Sequence, residues 1–223
     1  MEYNLADLYE AIADVTPNNI ALASGDVHHT YAELDKRANR LAHYLQSRGI
    51  GAGDHVGLHL FNGHEFVEAI LALFKIRAVG ININYRFVGP EVRYMIDNAD
   101  LKGVITQRRF VPVINEAMRG LEPLQALVVI EDGVDAVADQ ESIEYETALG
   151  QGSEERDFEP RSGDDLYIIY TGGTTGMPKG VMWRHEDLFF SGLQGGSPGG
   201  DPVESPEQLV EQAKEGWYTV TML

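Results

Sequence analysis

The 223-residue sequence contains no cysteine. That excludes a disulfide framework, a thiolate zinc site and a cysteine nucleophile. Basic side chains are scarce, with 17 Lys+Arg against 35 Asp+Glu and a formal net charge of −18. This is the wrong sign for a nucleic-acid binder, which needs a basic footprint to displace counterions. Long hydrophobic runs are also missing. The most apolar stretch, Phe66 to Phe74, is ended by Lys75 and Arg77, far short of the roughly 20 residues a membrane span requires. Met1 is followed by Glu2, Asp7 and Glu10 rather than by a basic, apolar leader, so the expected location is cytoplasmic. What is present, 43% hydrophobic and 23% charged residues, fits a globular chain with a sizeable core and excludes disorder and collagen-like repeats.

The negative charge is concentrated. Residues 131–165 hold 13 acidic and 2 basic side chains, and residues 201–215 hold 5 acidic and 1 basic. The first block, mixed with Gly150, Gly152 and Ser153, reads as a solvated surface excursion between core elements. It lacks the D-x-D-x-D-G spacing of a calcium loop.

Leu5, Leu8, Ile12 and Val15 recur at helical spacing up to Pro17, and Ile20–Ala23 with Gly25-Asp26 reads as a strand and a turn. Thr30 is placed to N-cap a helix over Tyr31–Arg48, whose apolar stripe runs Leu34, Ala38, Leu41, Ala42, Leu45 and stops at Gly49. Strands are then predicted at Val56–Leu60, Val79–Ile83, Gly103–Ile105 and Leu127–Ile130, alternating with helices at Glu65–Ile76, Pro90–Asp97 and Val111–Met118. Strand–helix alternation with short connections is the pattern of an α/β fold, mostly parallel sheets flanked by helices. Further strands are expected at Leu166–Tyr170 and Gly180–Trp183, and helices at Glu186–Leu193 and Glu207–Lys214, the last two separated by the Gly/Pro-rich Gly195–Pro206. The apolar, β-prone run Trp217–Leu223 has no polar tail, so the chain reads as a fragment of a longer protein.

Tyr170-Thr171-Gly172-Gly173-Thr174-Thr175-Gly176-Met177-Pro178-Lys179-Gly180 stands apart. Glycines let backbone N–H groups approach an anion, threonine hydroxyls donate to phosphate oxygens, and lysine supplies a compact positive charge. The segment reads as a phosphate-cradling loop between two strands. It is not a Walker A loop, because Lys179 is followed by Gly180 and a strand. A dinucleotide fingerprint would need to open a helix.

Other patterns lack the context their chemistry requires. Gly195-Gly196-Ser197-Pro198-Gly199 spells the nucleophile elbow G-x-S-x-G, but a helix precedes it where a strand is required. His55, His59 and His64 lack the helical H-E-x-x-H arrangement of a metal site. His185 is placed to cap the following helix or to touch a substrate, and Trp183 is expected in the core.

The loop closely resembles the phosphate-binding signature Y-T-S-G-T-T-G-x-P-K-G-V of the adenylate-forming superfamily, which includes acyl-CoA synthetases, firefly luciferases and nonribosomal peptide adenylation domains. Gly172 stands where that signature has serine, which removes one hydroxyl donor. His29-Thr30-Tyr31-Ala32-Glu33-Leu34, Ala38-Asn39-Arg40-Leu41-Ala42 and Gly53-Asp54-His55-Val56 are similar to the family's opening region. Lys75 to Asp97 is similar to its second block, with Ile76-Arg77 in place of Ala-Gly. Asn84-Tyr85-Arg86 and Tyr170-Thr171-Gly172-Gly173 look like the fatty-acid and steroid side-chain CoA ligases of actinobacteria. The resemblance implies that residues 1–223 are the N-terminal part of the large AMP-binding domain. Thr171, Gly172, Gly173, Thr174, Thr175, Gly176 and Lys179 would then hold the β- and γ-phosphates of ATP. A carboxylic acid would be activated to an acyl-adenylate, with Mg²⁺ neutralising the leaving pyrophosphate, and captured by CoA. The catalytic residues would lie beyond Leu223, leaving this chain inactive by itself. Two readings stay open beside it: an adenylation domain that passes its acyl group to a carrier protein, and a nonenzymatic nucleotide-binding fragment.

Overall fold

The computed structural model describes residues 2–172, 177–197 and 199–216. The run Trp217–Leu223, expected to be a strand, lies outside the described residues. Helix α1 (Leu5–Val15) leads into a hairpin of β1 (Ile20–Ser24) and β2 (Val27–Thr30), turned at Gly25 with φ +58°. The hairpin's second arm, Val-His-His-Thr, carries no apolar alternation and was not anticipated. Helix α2 (Tyr31–Ser47) starts in a capping box: Thr30 Oγ1 accepts from the Glu33 backbone N–H, and the Glu33 carboxylate accepts from that of Thr30. It ends before Gly49, whose φ of +84° suits a residue without a Cβ.

The alternating region follows as expected: β3 (His55–His59), α3 (His64–Lys75), β4 (Val79–Asn82), α4 (Gly89–Asn98), β5 (Leu101–Gln107), α5 (Val111–Met118) and β6 (Ala126–Ile130). The acidic region is more structured than a surface excursion. It contains β7 (Ile143–Glu144) and α6 (Tyr145–Gln151), whose Tyr145, Ala148 and Leu149 are buried. The chain closes with β8 (Leu166–Thr171), β9 (Lys179–Arg184), α7 (His185–Gly192) and α8 (Pro206–Lys214).

Among the described residues seven strands form one sheet in the order β7-β6-β5-β3-β4-β8-β9, parallel throughout except for β9, which pairs antiparallel with β8. Side chains of adjacent strand residues point to opposite faces. On β6, Val128 and Ile130 join α2, α3 and α6 on one face, whereas Leu127 and Val129 join α4 and α5 on the other. Both faces are thus covered, as an all-but-parallel sheet requires. A third, small cluster of Leu8, Phe189, Val203 and Leu209 fastens α7 and α8 to α1.

Candidate functional site

The glycine- and threonine-rich segment is the tip of the β8–β9 hairpin. Thr171 and Lys179 are the last facing pair before it, and Tyr170 faces Gly180. Residues opposite one another in a ladder share a face, so Thr171 and Lys179 flank the loop mouth together. Both are exposed. Among the described residues no hydrogen bond or ion pair engages the Lys179 ammonium. Gly173, Thr174, Thr175 and Gly176 lie outside the described residues. Gly172 is exposed and has no described atom within 4 Å of where a Cβ would stand, so a serine would meet no clash there.

The other face of the hairpin is anchored. A Cβ on Gly180 would come within 3.1 Å of the Tyr170 ring, so the missing side chain lets that ring lie across β9. The Tyr170 hydroxyl donates to Asn98 Oδ1 at 2.9 Å, and the Tyr94 hydroxyl donates to the Pro178 carbonyl oxygen, also at 2.9 Å. Tyr94 and Asn98 are one turn apart on α4, so a single helix holds both arms of the loop. Partial burial, with Tyr94 nearby, pushes the Tyr170 phenol above its usual range, which keeps it a neutral donor. Neither α4 residue was singled out in the sequence, because they lie more than 70 positions from the loop. Their i, i+4 spacing on one face was the available signal.

At the opposite end of the hairpin, Asp165 accepts from Arg77 at 2.8 Å, from Asn4 Nδ2 at 3.0 Å and from the Ser162 backbone N–H at 3.1 Å. Arg77, half of the Ile76-Arg77 departure, thereby anchors the entry to β8. His185 neither caps α7 through its side chain nor faces solvent. It is buried, its Nδ1 accepts from the Leu5 backbone N–H at 3.3 Å, and its ring packs on Phe74 with centroids 4.4 Å apart. Trp183 is half-buried on the edge strand β9 rather than in the core, because no strand pairs with β9's outer edge among the described residues. His55, His59 and His64 do not converge: His55 bonds the Ala99 carbonyl at 2.6 Å, His59 is buried beside Phe110, and His64 begins α3. Gly195 and Gly196, with φ of +60° and +70°, form a turn after α7, not a strand-to-helix elbow.

The arrangement offers an exposed ammonium with no partner among the described residues, a facing hydroxyl and a glycine-rich connection on a hairpin fixed at both ends. Such a group suits an anion with several oxygens. Among the described residues no helix is long and apolar enough to cross a membrane.

Comparison with known proteins is consistent with this geometry. The family profile described as AMP-binding enzyme matches residues 9–205. A 3-oxocholest-4-en-26-oate–CoA ligase of Rhodococcus rhodochrous is 51% identical over 190 residues, covering 85% of this chain and 34% of that protein. A medium/long-chain-fatty-acid–CoA/3-oxocholest-4-en-26-oate–CoA ligase of Mycolicibacterium smegmatis is 41% identical over 217 residues, covering 96% and 39%. The crystal structure of the anthranilate CoA ligase AuaEII in complex with anthranoyl-AMP superposes with a TM-score of 0.78 at 27% identity, covering 87% of this chain and 37% of that one. The chain therefore spans a little over a third of the length of the curated relatives it matches.

Proposed function

The chain belongs to the AMP-binding enzyme family, and from that membership we propose that it supplies the ATP phosphate-binding loop of an AMP-forming acyl-CoA ligase. In this reading it forms the N-terminal part of the large AMP-binding domain of a longer enzyme, with the remaining catalytic groups beyond Leu223. The observation that carries the proposal is the hairpin tip, where Lys179 and Thr171 face the same side and no acidic residue occurs between Tyr170 and His185.

Thr171, Gly172, Gly173, Thr174, Thr175, Gly176 and Lys179 hold the β- and γ-phosphates of ATP. The carboxylate of the acid substrate attacks the α-phosphorus, the bond to the bridging oxygen breaks, and pyrophosphate leaves with the electron pair. The CoA thiol sulfur then attacks the acyl carbonyl carbon, the thioester bond forms, and AMP leaves with the electron pair of the broken acyl–phosphate C–O bond. Mg²⁺ comes as part of the nucleotide substrate, since the loop has no carboxylate of its own to hold it. The loop's task is to orient the leaving group and offset its charge. That is positional and electrostatic catalysis, strongest when the donors are already fixed, and the α4 anchors supply that fixity. The names of the relatives favour a fatty or steroid side-chain acid as substrate.

Lys179→Ala in the complete protein tests this reading. Pyrophosphate release and CoA-thioester formation are expected to fall together by about tenfold or more, since a charge-assisted contact contributes about 1.5–3 kcal/mol. The unfolding midpoint should stay unchanged because Lys179 is exposed. Wild-type rates in the variant would refute the phosphate role.

A further inference from the structure

Away from the hairpin, β2 brings His29 against the first two turns of α3, where His64 and Glu68 stand one helical turn apart. A nitrogen of each imidazole and an oxygen of the carboxylate all lie within 4.8 Å of one another. His29 Nε2 is 3.4 Å from Glu68 Oε1, and the two imidazoles meet edge to face with centroids 5.4 Å apart. We propose that His29, His64 and Glu68 form a binding site for a divalent transition-metal ion of the zinc type, separate from the loop.

Four observations carry it. The first is the donor set: two imidazoles and a carboxylate are the ligands that Zn²⁺ and its neighbours in the series take, in sites that leave a fourth position for water. The second is spacing. Bonds of about 2.0–2.1 Å put neighbouring ligand atoms of a tetrahedral ion about 3.3 Å apart. The His29–Glu68 pair already has that separation, and His64, half-buried on the first turn of α3, offers a nitrogen within 4.8 Å of both.

The third is an unsatisfied group. His29 Nε2 is buried and has no hydrogen-bond partner, although a carboxylate oxygen stands 3.4 Å away. Buried polar atoms in folded proteins are nearly always paired. The fourth is the support around the carboxylate. Glu68 is fully buried; the Tyr145 hydroxyl donates to its Oε2 at 2.7 Å and Arg37 Nε donates to its Oε1 at 2.8 Å. Outer partners of this kind fix a metal-binding carboxylate. A carboxylate has about four lone-pair directions, so Oε1, which already accepts from Arg37, keeps a second lone pair for the His29 side. The Arg37 charge is itself balanced by a two-pronged contact with Glu146, and Glu65 stands 3.4 Å from His64 Nδ1. The surroundings thus remain net acidic. A cleft of about 360 Å³, lined by His29, Glu33, Lys36, Arg37, Arg40 and Glu146 among others, opens beside His29.

The test is Zn²⁺ competition against a chromophoric chelator, with Co²⁺ absorption as a second readout, on purified complete protein without a histidine tag. One site per chain is expected, with intense visible Co²⁺ bands of tetrahedral character. His29→Ala and His64→Ala should each weaken Zn²⁺ binding by tenfold or more, and His28→Ala, on the neighbouring exposed position, should leave it unchanged. The His64→Ala variant keeps the Glu68 bonds to Arg37 and Tyr145, so its unfolding midpoint without metal should match wild type. Zn²⁺ should raise that midpoint in wild type and in His28→Ala but not in His64→Ala. The proposal is overturned if wild type binds Zn²⁺ no more tightly than the His29→Ala/His64→Ala double variant, or if His28→Ala loses as much affinity as His64→Ala.

Discussion

Two buried histidines should make the stability of this fold fall on mild acidification. His59 and His185 are almost wholly inaccessible, and burial pushes both from the usual 6.5 to about 4. The sign follows from which state binds the proton more readily. The unfolded chain takes it near pH 6.5 and the folded chain only near pH 4, so stability is complete above about 6.5 and drains away as pH falls towards 4. For His59 the shift of about 2.5 units, at about 1.4 kcal/mol per unit, amounts to about 2 kcal/mol lost by pH 5 and about 3 by pH 4. The carboxylates held low by their partners, Asp132 and Glu144 among them, withdraw their contribution only below their unfolded values near 4, so the two effects separate along the pH axis. His59 has no hydrogen bond at either ring nitrogen, only its backbone carbonyl accepting from Thr106 Oγ1. His59→Met therefore removes the titration without breaking a side-chain hydrogen bond among the described residues, although it replaces the ring contact with Phe110. Urea unfolding of wild type and His59→Met from pH 7.5 to 4.5 should show the variant gaining on wild type by about 2 kcal/mol between pH 7 and 5. A difference that stays flat over that interval would refute the assignment of a buried, neutral imidazole.

Three further substitutions probe the hairpin and its surroundings. Tyr94→Phe deletes the 2.9 Å bond to the Pro178 carbonyl, worth about 1 kcal/mol. It should raise KM for ATP about fivefold in the complete enzyme, and an unchanged KM would show that α4 does not govern the loop. Gly172→Ser adds a hydroxyl where no described atom obstructs it. It should fold normally and tighten ATP binding about fivefold if the new group reaches a phosphate oxygen; no gain would mean that position does not face the nucleotide. Gly152→Ala would set its Cβ 1.9 Å from the Arg40 carbonyl oxygen. Backbone cannot rotate aside as a side chain can, so a loss of about 3 kcal/mol in chemical denaturation is expected, and a loss under 1 would refute that packing.

The alternating core was legible because each element there carries a strong period: α2 shows an apolar face over 17 residues and β6 is apolar throughout. Their boundaries fall within one or two residues of the expected ones. β2 was not legible. Val27–Thr30 has one apolar residue in four and owes its strand to pairing with β1. The acidic block misled for a related reason. Helix α6 is seven residues long with three buried side chains, too short to show a period, and its neighbours read as solvated because their partners lie over 100 positions away. Glu154 meets Arg40 at 2.6 Å, and Arg156 meets Asp14 at 2.7 Å. Of the candidate site, the loop's chemistry was visible in its residues, whereas the α4 clamp and the His29–His64–Glu68 cluster exist only through tertiary contacts.

The ion pairs explain how an edge hairpin can carry a fixed loop. Lys75, which ends the apolar run of α3, is fully buried and bonds Glu10 on α1 and Asp35 on α2. Glu10 is shared with Arg161 and Asp35 with Arg156, and those arginines also hold Asp7 and Asp14. Four acids and three bases therefore alternate in one connected network. Breaking such a buried pair from one side leaves an uncompensated charge, at a cost of about 3–5 kcal/mol, so the members hold one another in place. The network's two arginines, Arg156 and Arg161, lie in the segment that leads directly into Asp165 and β8. That segment is strapped across α1 and α2, Asp165 is gripped by Arg77 and Asn4, and the far end of the hairpin is gripped by Tyr94 and Asn98. Bases outside the acidic block answer part of its charge, Arg40 at Glu154 and Arg77 at Asp165. A strand pair that has β4 on one side and no partner among the described residues on the other is held at both of its ends as well.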